Sequence, residues 1–226
     1  DQSSIAFDGV DDYIISVNDP SYNPTAAITI ESWVRPSATQ SGENPIVFKA
    51  DQYSLYTDGV NNTPKFKIYS GDVWNTISAG IDLVVDEWSH IAGSYNGSEL
   101  KIYVNGELKN TALFSGAMAT SNNELSIGGE ATTPNYYSGR IDQVRIWDLE
   151  RVQNEINLER YAEIDRQAAG LSALFELDEK SGVVAVDSAN NLSGSLTNMD
   201  TTTVWKNNYA EIWNGSVNGD FNERGN

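Results

Sequence analysis

Residues Trp88 to Leu113 read WSHIAGSYNGSELKIYVNGELKNTAL, and the fold is decided here. Leu100, Ile102 and Val104 share one face of an extended segment while Lys101 and Tyr103 take the other, the alternation of a half-buried strand. Asn105 and Gly106 both tolerate positive φ. They are expected to form a type I′ turn that returns the chain through Glu107 to Leu113. Outward from this hairpin, short alternating segments closed by Gly, Asn, Asp or Pro recur at Asp12–Val17, Ile28–Arg35, Lys65–Ser70, Trp88–Asn96 and Gly139–Trp147. From Leu149 to about Gln167 the alternation gives way to roughly helical spacing of Val152, Ile156, Leu158, Tyr161 and Ile164, which predicts one helix, ended by Gly170. Strand character returns at Leu171–Leu177 and Val183–Val186. Many short strands with one helix predict an antiparallel two-sheet sandwich.

The 226 residues, 39% of them hydrophobic, suit one domain with a core large enough to need no disulfides, and there is no Cys to make any. Thiol catalysis and thiolate zinc sites are excluded with them. With 32 acidic against 14 basic side chains, a net charge of −18, the surface field repels phosphate backbones and anionic lipid. Nucleic acid is therefore not an expected partner, whereas divalent cations and hydroxyl-rich neutral ligands suit the field. No apolar run approaches the roughly 20 residues of a membrane-spanning helix. No charged segment followed by an apolar one opens the chain, so it is expected to start after a removed signal or inside a longer protein. From about Lys206 the sequence is rich in Asn and Gly with sparse apolar residues, which predicts a domain at residues 1–205 and a linker, or the start of a following module, at 206–226.

Four motifs, in order, are IAFDGVDDYI (Ile5–Ile14), ITIESWVRP (Ile28–Pro36), DEWSHIAGSYNGSELKIYVNGEL (Asp86–Leu108) and YYSGRIDQVRIWD (Tyr136–Asp148). Together they resemble the LamG-like jelly-roll group of the concanavalin A-like lectin/glucanase sandwiches, of the kind carried by multi-module proteins exported by bacteria. The segment Gly170–Leu196 resembles one that follows or joins such modules, and Trp213–Asn226 resembles the opening of a β-repeat in the same class of exported protein. The resemblance implies an all-β, antiparallel two-sheet jelly-roll sandwich with one short surface helix, located outside the cell or on its surface.

Asp142 is the sharpest candidate for chemistry, since period-two alternation puts it on one face with Arg140, Val144 and Ile146, and a carboxylate aimed at a core needs compensation. The resemblance implies a calcium ion near this strand and the FDG turn. Its ligands would be Asp142, Asp8, Gly9 through its carbonyl, and Asp12, and hard oxygen donors suit Ca²⁺. The alternative is that Asp142 pairs with Arg140 or Arg145 or accepts backbone N–H groups. The run FDGVDDY lacks the ligand spacing and terminal Glu of an EF-hand, and its local alternative is an Asp-rich turn.

His90 is the only histidine and is read as structural, because no nucleophile-base-orienter set accompanies it. Paired-carboxylate glycosidases of related sandwiches carry E-x-D-x-x-E on a strand. The nearest string here, Glu163 to Ala168, lacks the last acid and falls in the expected helix, and Glu31 is followed two residues on by Trp33. Among the aromatic residues, Trp33, Trp88 and Trp147 are expected between the sheets. Tyr69 and Trp74, expected at a strand end and loop, and Tyr136, in the loop Glu130–Ser138, are the candidates for stacking on sugar rings, with packing within the protein the more common role for such rings. The expected function is a non-catalytic carbohydrate-binding or adhesion module of a larger exported protein, with structural calcium and a polysaccharide or glycan, or a cell-surface protein, as partner. A spacer or protein-adhesion domain without a sugar ligand is the alternative, and a polysaccharide-degrading enzyme the third.

Overall fold

The computed structural model describes residues 3–130 and 133–207, which form sixteen strands, one short α-helix and a 3-10 turn. One layer runs β10 (Glu107–Leu113), β9 (Glu99–Val104), β8 (Ser89–Tyr95), β3 (Ile28–Pro36) and β12 (Ser138–Trp147). Along the far side of β12, β1 (Ser3–Asp8) and β13 (Leu171–Phe175) lie end to end, with Ile5 opposite Ile141 and Phe175 opposite Val144. The second layer runs β14 (Val184–Asp187), β15 (Leu192–Thr197), β2 (Tyr13–Ser16), β11 (Leu125–Ile127), β4 (Glu43–Lys49), β5 (Tyr53–Asp58), β6 (Thr63–Ser70) and β7 (Val73–Ser78). The layers meet at a corner, where β13 and β14 pair at the single position Phe175–Asp187. The all-β sandwich is as the sequence predicts.

The core between the layers joins Ile30, Val34, Ile91, Ile102 and Ile141 from the first to Ile14, Val47, Leu55, Phe66 and Ile68 from the second. Each such side chain contributes about 1.5–3 kcal/mol when fully buried. The expected hairpin is present: Leu100, Ile102 and Val104 are in this core, and Asn105 and Gly106 have φ of 54° and 79°, as a type I′ turn needs. At Gly93 the layers approach so closely that a Cβ would stand 2.2 Å from Cγ of Phe66.

The outer side of the first layer differs from expectation in three ways. The helix is only α1 (Gln153–Glu159), whereas the spacing predicted about nineteen residues. Carbonyls at and just beyond its end are bonded by the sheet beneath: Arg145 Nη1 donates to Glu159 O and Nη2 to Ala162 O, both at 2.9 Å, and Trp33 Nε1 donates to Arg160 O at 2.8 Å. These bonds tie the chain that leaves the helix to the sheet, and Glu159 O also accepts from Ala162 N at 2.9 Å in a tighter turn. Trp33 and Trp147 are buried as expected but under this helix segment rather than between the sheets, and Trp88 is only half-buried, beneath the Arg140 guanidinium at 5.4 Å. Third, Gln143 adopts φ of 53° in a bulge, so the register slips between Asp142 and Arg145. A bulge reverses the side-chain faces beyond it. Ile141, Val144 and Ile146 thus point into the core, while Asp142 lies with Arg145 and Trp147 on the opposite face.

That face buries a charged group. Glu31, 2% exposed, accepts from Trp147 Nε1 at 2.9 Å and stands 3.3 Å from His90 Nε2 and 3.9 Å from Arg145 Nη1. Burial alone would raise its pKa, but His90, Arg145 and Trp147 together hold it down at about 2. Burial keeps His90 below its ordinary value in spite of Glu31, so it acts as a neutral partner.

At the carboxyl end, β16 (Trp205–Asn207) pairs with β1, so strand structure runs two residues past the expected boundary at 205. The remainder of the expected linker, 208–226, lies outside the described residues.

Two substitutions test this packing by thermal or denaturant unfolding. Gly93→Ala should destabilise by about 1–3 kcal/mol through overpacking against Phe66. Glu31→Ala, which strands Arg145 and His90 in a dry site, should cost about 3–5 kcal/mol.

Candidate functional site

Two sites emerge, a turn of carboxylates after β1 and a row of rings on the outer face of the second layer. In the turn, Asp8, Asp11 and Asp12 offer oxygens that all lie within 4.8 Å of one another. Local hydrogen bonds shape the loop: Asp8 Oδ1 accepts from Val10 N at 2.7 Å and from Asp11 N at 3.4 Å, and Asp12 Oδ2 accepts from Asp8 N at 3.0 Å. Gly9 is required between them, since its φ is 77° and a Cβ would stand 2.7 Å from that of Ser138. The expected Asp-rich turn and the expected ligand pair Asp8 and Asp12 thus coincide, and Asp11 joins them.

Asp142 does not join them. Asp8 stands opposite Ser138, four positions before Asp142 on β12, a separation of roughly 13 Å at strand rise. Asp142 is instead fully buried under the helix segment, where its charge favours the Arg145 cation, in keeping with the alternative read from the sequence. The bulge at Gln143 made its face illegible from period-two counting.

Asp12 is 5% exposed, and its pKa is raised to about 6, chiefly by burial and then by Asp8 and Asp11, with the Asp8 N–H opposing. The donor set suits a hard divalent cation, which would relieve this repulsion. Among the described residues, the second oxygens of Asp8 and Asp12 and both of Asp11 carry no hydrogen bond.

The second site lies on β6 and β7. Tyr69 and Trp74 are directly paired across these strands, rings edge to face at 5.2 Å, so Trp74 is a strand residue rather than the loop residue expected. Both are half-buried. Lys67 shares their face and is clamped between rings, its Nζ 4.7 Å from the Trp74 centroid and 4.9 Å from that of Tyr56, while Glu43 pairs with it. Such a contact is worth about 0.5–1 kcal/mol at an exposed site. Tyr136, in its expected loop, bridges to Gly129 and stacks on Tyr13 of β2 with centroids 6.4 Å apart. Glu130, 6% exposed, bonds Thr133; burial raises its pKa, with Asn135 and Lys67 opposing and Glu43 adding to the rise. Sequence reading found the rings but passed over Tyr13, Glu43, Tyr56, Lys67 and Glu130. The alternation Lys65, Lys67, Tyr69 in KFKIYS was the available sign that this face carries polar side chains.

Residues 8–157 match the family model for the concanavalin A-like lectin/glucanases superfamily, of laminin G type, and the chain belongs to that family. Human pappalysin-1 is 26% identical over an alignment that covers 59% of this chain and 10% of that protein. The chain thus spans about a tenth of that relative's length. A putative carbohydrate-binding protein from Bacteroides ovatus has a similar fold, with a TM-score of 0.73 at 19% identity over 87% of this chain and 58% of that one. Domain 4 of an extracellular arabinanase from Geobacillus stearothermophilus, in complex with arabinotriose, aligns with a TM-score of 0.57 at 16% identity over 68% of this chain and 74% of that one.

Because the folded pKa of Asp12 lies above its ordinary 3.8, the metal-free protein binds more protons than the unfolded chain between about pH 4 and 6. Its stability should therefore fall as pH rises through that window, measured by thermal unfolding in chelator. Asp12→Asn, which keeps an acceptor for Asp8 N, should remove this dependence and stabilise the metal-free protein at pH 7 by on the order of 1–3 kcal/mol.

Proposed function

We propose that this chain is a glycan-binding module of a larger extracellular or cell-surface protein, with calcium held for structure and no catalysis of its own. The observation that carries the reading is the Tyr69–Trp74 pair, set on a regular sheet face over the clamped Lys67. Flat rings stack on the C–H faces of sugars, and neighbouring carboxylates and amides bond their hydroxyls. The outer face of the first layer is covered by α1 and the segment after it, which leaves the outer face of the second for a ligand. Tyr136 contributes at its other end. The fold relationships to a putative carbohydrate-binding protein and to an arabinotriose-bound domain are in keeping with this assignment.

Calcium is assigned to Asp8, Asp11 and Asp12, with the Gly9 carbonyl as a further donor; Asp142 has no part in it. The non-catalytic reading rests on the acids available. The string Glu163 to Ala168, nearest to the paired-acid pattern, follows α1 in turns rather than lying on a strand. Glu43 in turn is ion-paired with Lys67 through one oxygen.

A glycan array probed with and without calcium tests the function. Binding to at least one glycan is expected, and Trp74→Ala should abolish most of it with little change in melting temperature. Trp33→Ala, at a buried site, should by contrast cost about 3–5 kcal/mol of stability. A folded protein that binds no glycan would make this a spacer or protein-adhesion domain, and turnover of a polysaccharide would make it an enzyme. Calcium at 100 times its Kd should raise stability by about 2.7 kcal/mol over chelator, and Asp12→Asn should lose that gain.

A further inference from the structure

We infer that the outer face of the second layer takes an extended, uncharged stretch of a glycan chain rather than a single terminal sugar, the Tyr13–Tyr136 and Tyr69–Trp74 pairs gripping its two ends. This rests on the glycan reading above and specifies the ligand.

The first argument is length. Tyr13 lies on β2 and Trp74 on β7, and β11, β4, β5 and β6 intervene. Across the sheet, four inter-strand spacings, roughly 19 Å, separate Tyr13 from Tyr69 on β6, and five, roughly 24 Å, separate it from Trp74. One sugar cannot touch both, whereas an oligosaccharide of several units can. Strand alternation places both pairs on one face: Ile14 beside Tyr13 points into the core, as does Ile68 beside Tyr69. Between them a row of Ser126, Phe48 and Ser54 crosses β11, β4 and β5, beside the polar groups of Glu130, Glu43 and Lys67.

The second argument is charge. Both lysines of this face are already ion-paired, Lys65 with Asp58 and Lys67 with Glu43. Adding Glu130 leaves two cations against three carboxylates, a local charge of −1, on a chain of net charge −18. A uronate or sulfated sugar would find no uncommitted cation among these residues and would be repelled. Neutral hydroxyls instead find carboxylate acceptors at Glu43 and Glu130 and an ammonium donor at Lys67.

The test is calorimetric titration of the full chain with arabino-, xylo- and cello-oligosaccharides of two to six units, and with trigalacturonate as the acidic probe. In at least one neutral series, affinity should rise by about tenfold or more from the disaccharide to the hexasaccharide. Trigalacturonate should bind more weakly than the neutral trisaccharide of that series. Tyr13→Ala should erase the gain with length but leave trisaccharide binding, and Lys67→Met should weaken every member of the series. Affinity independent of length, or unchanged by both variants, would overturn the extended site while leaving glycan binding standing. Tighter binding of trigalacturonate would overturn the uncharged ligand class. Silence across all series, confirmed on the array, would overturn this inference and the glycan reading together.

Discussion

An ionised carboxylate removed from water must be held by its neighbours, and Glu31 imposes that demand on the outer side of the first layer. Its partners come from the two strands that flank β3: His90 from β8, and Arg145 and Trp147 from β12. Arg145 cannot serve Glu31 alone, because a guanidinium has five N–H groups to satisfy. Its remaining donors reach the carbonyls of Glu159 and Ala162, so the chain leaving α1 is tied to the sheet by the group that neutralises the acid. Arg151 closes the arrangement above, stacked 4.1 Å over Trp147 and bonded to Glu159. The covering of this face is thus linked, through Arg145, to the carboxylate kept dry beneath it.

How much of this the sequence discloses depends on the range of the interaction responsible. The hairpin from Leu100 to Leu113 is legible because its turn chemistry and alternation are local. The four motifs place the sandwich for a related reason, since each marks a strand or its turn. The path of the chain after α1 is not legible, because the groups that hold it to the sheet, Trp33 and Arg145, are distant in the chain. Counting by twos failed for Asp142 because one residue, Gln143, adopts a conformation that few non-glycine residues take, and no neighbouring residue type announces it. Trp74 was misplaced because Gly71 and Asp72 before it suggested a longer loop, whereas the turn is tight and β7 begins at Val73.

The two outer faces of the sandwich illustrate how one architecture divides its work. Under α1, buried polar groups find partners within the protein, and the surface is thereby closed. On the opposite outer face Lys67, Glu43 and Tyr56 also find partners, but in the plane of the sheet, so Trp74 and Tyr69 stay partly open above. Rigid presentation of a half-open ring costs little ordering when a ligand arrives. The acidic turn at Asp8 belongs to a separate place on the molecule, beside Ser138, where β1 ends against β12.

The pairing of β16 with β1 has a mechanical consequence. The strands are antiparallel and Ser3 stands opposite Asn207, so the two ends of the described chain leave side by side. Tension applied to both ends would load this pair as a zipper, opening its hydrogen bonds one after another, rather than in shear, where all would resist together. β16 has three residues and pairs only with β1, whereas β1 is also held by β12. Under load, β16 would therefore peel first and at low force, adding slack to the chain while both layers and the ring-bearing face stay folded.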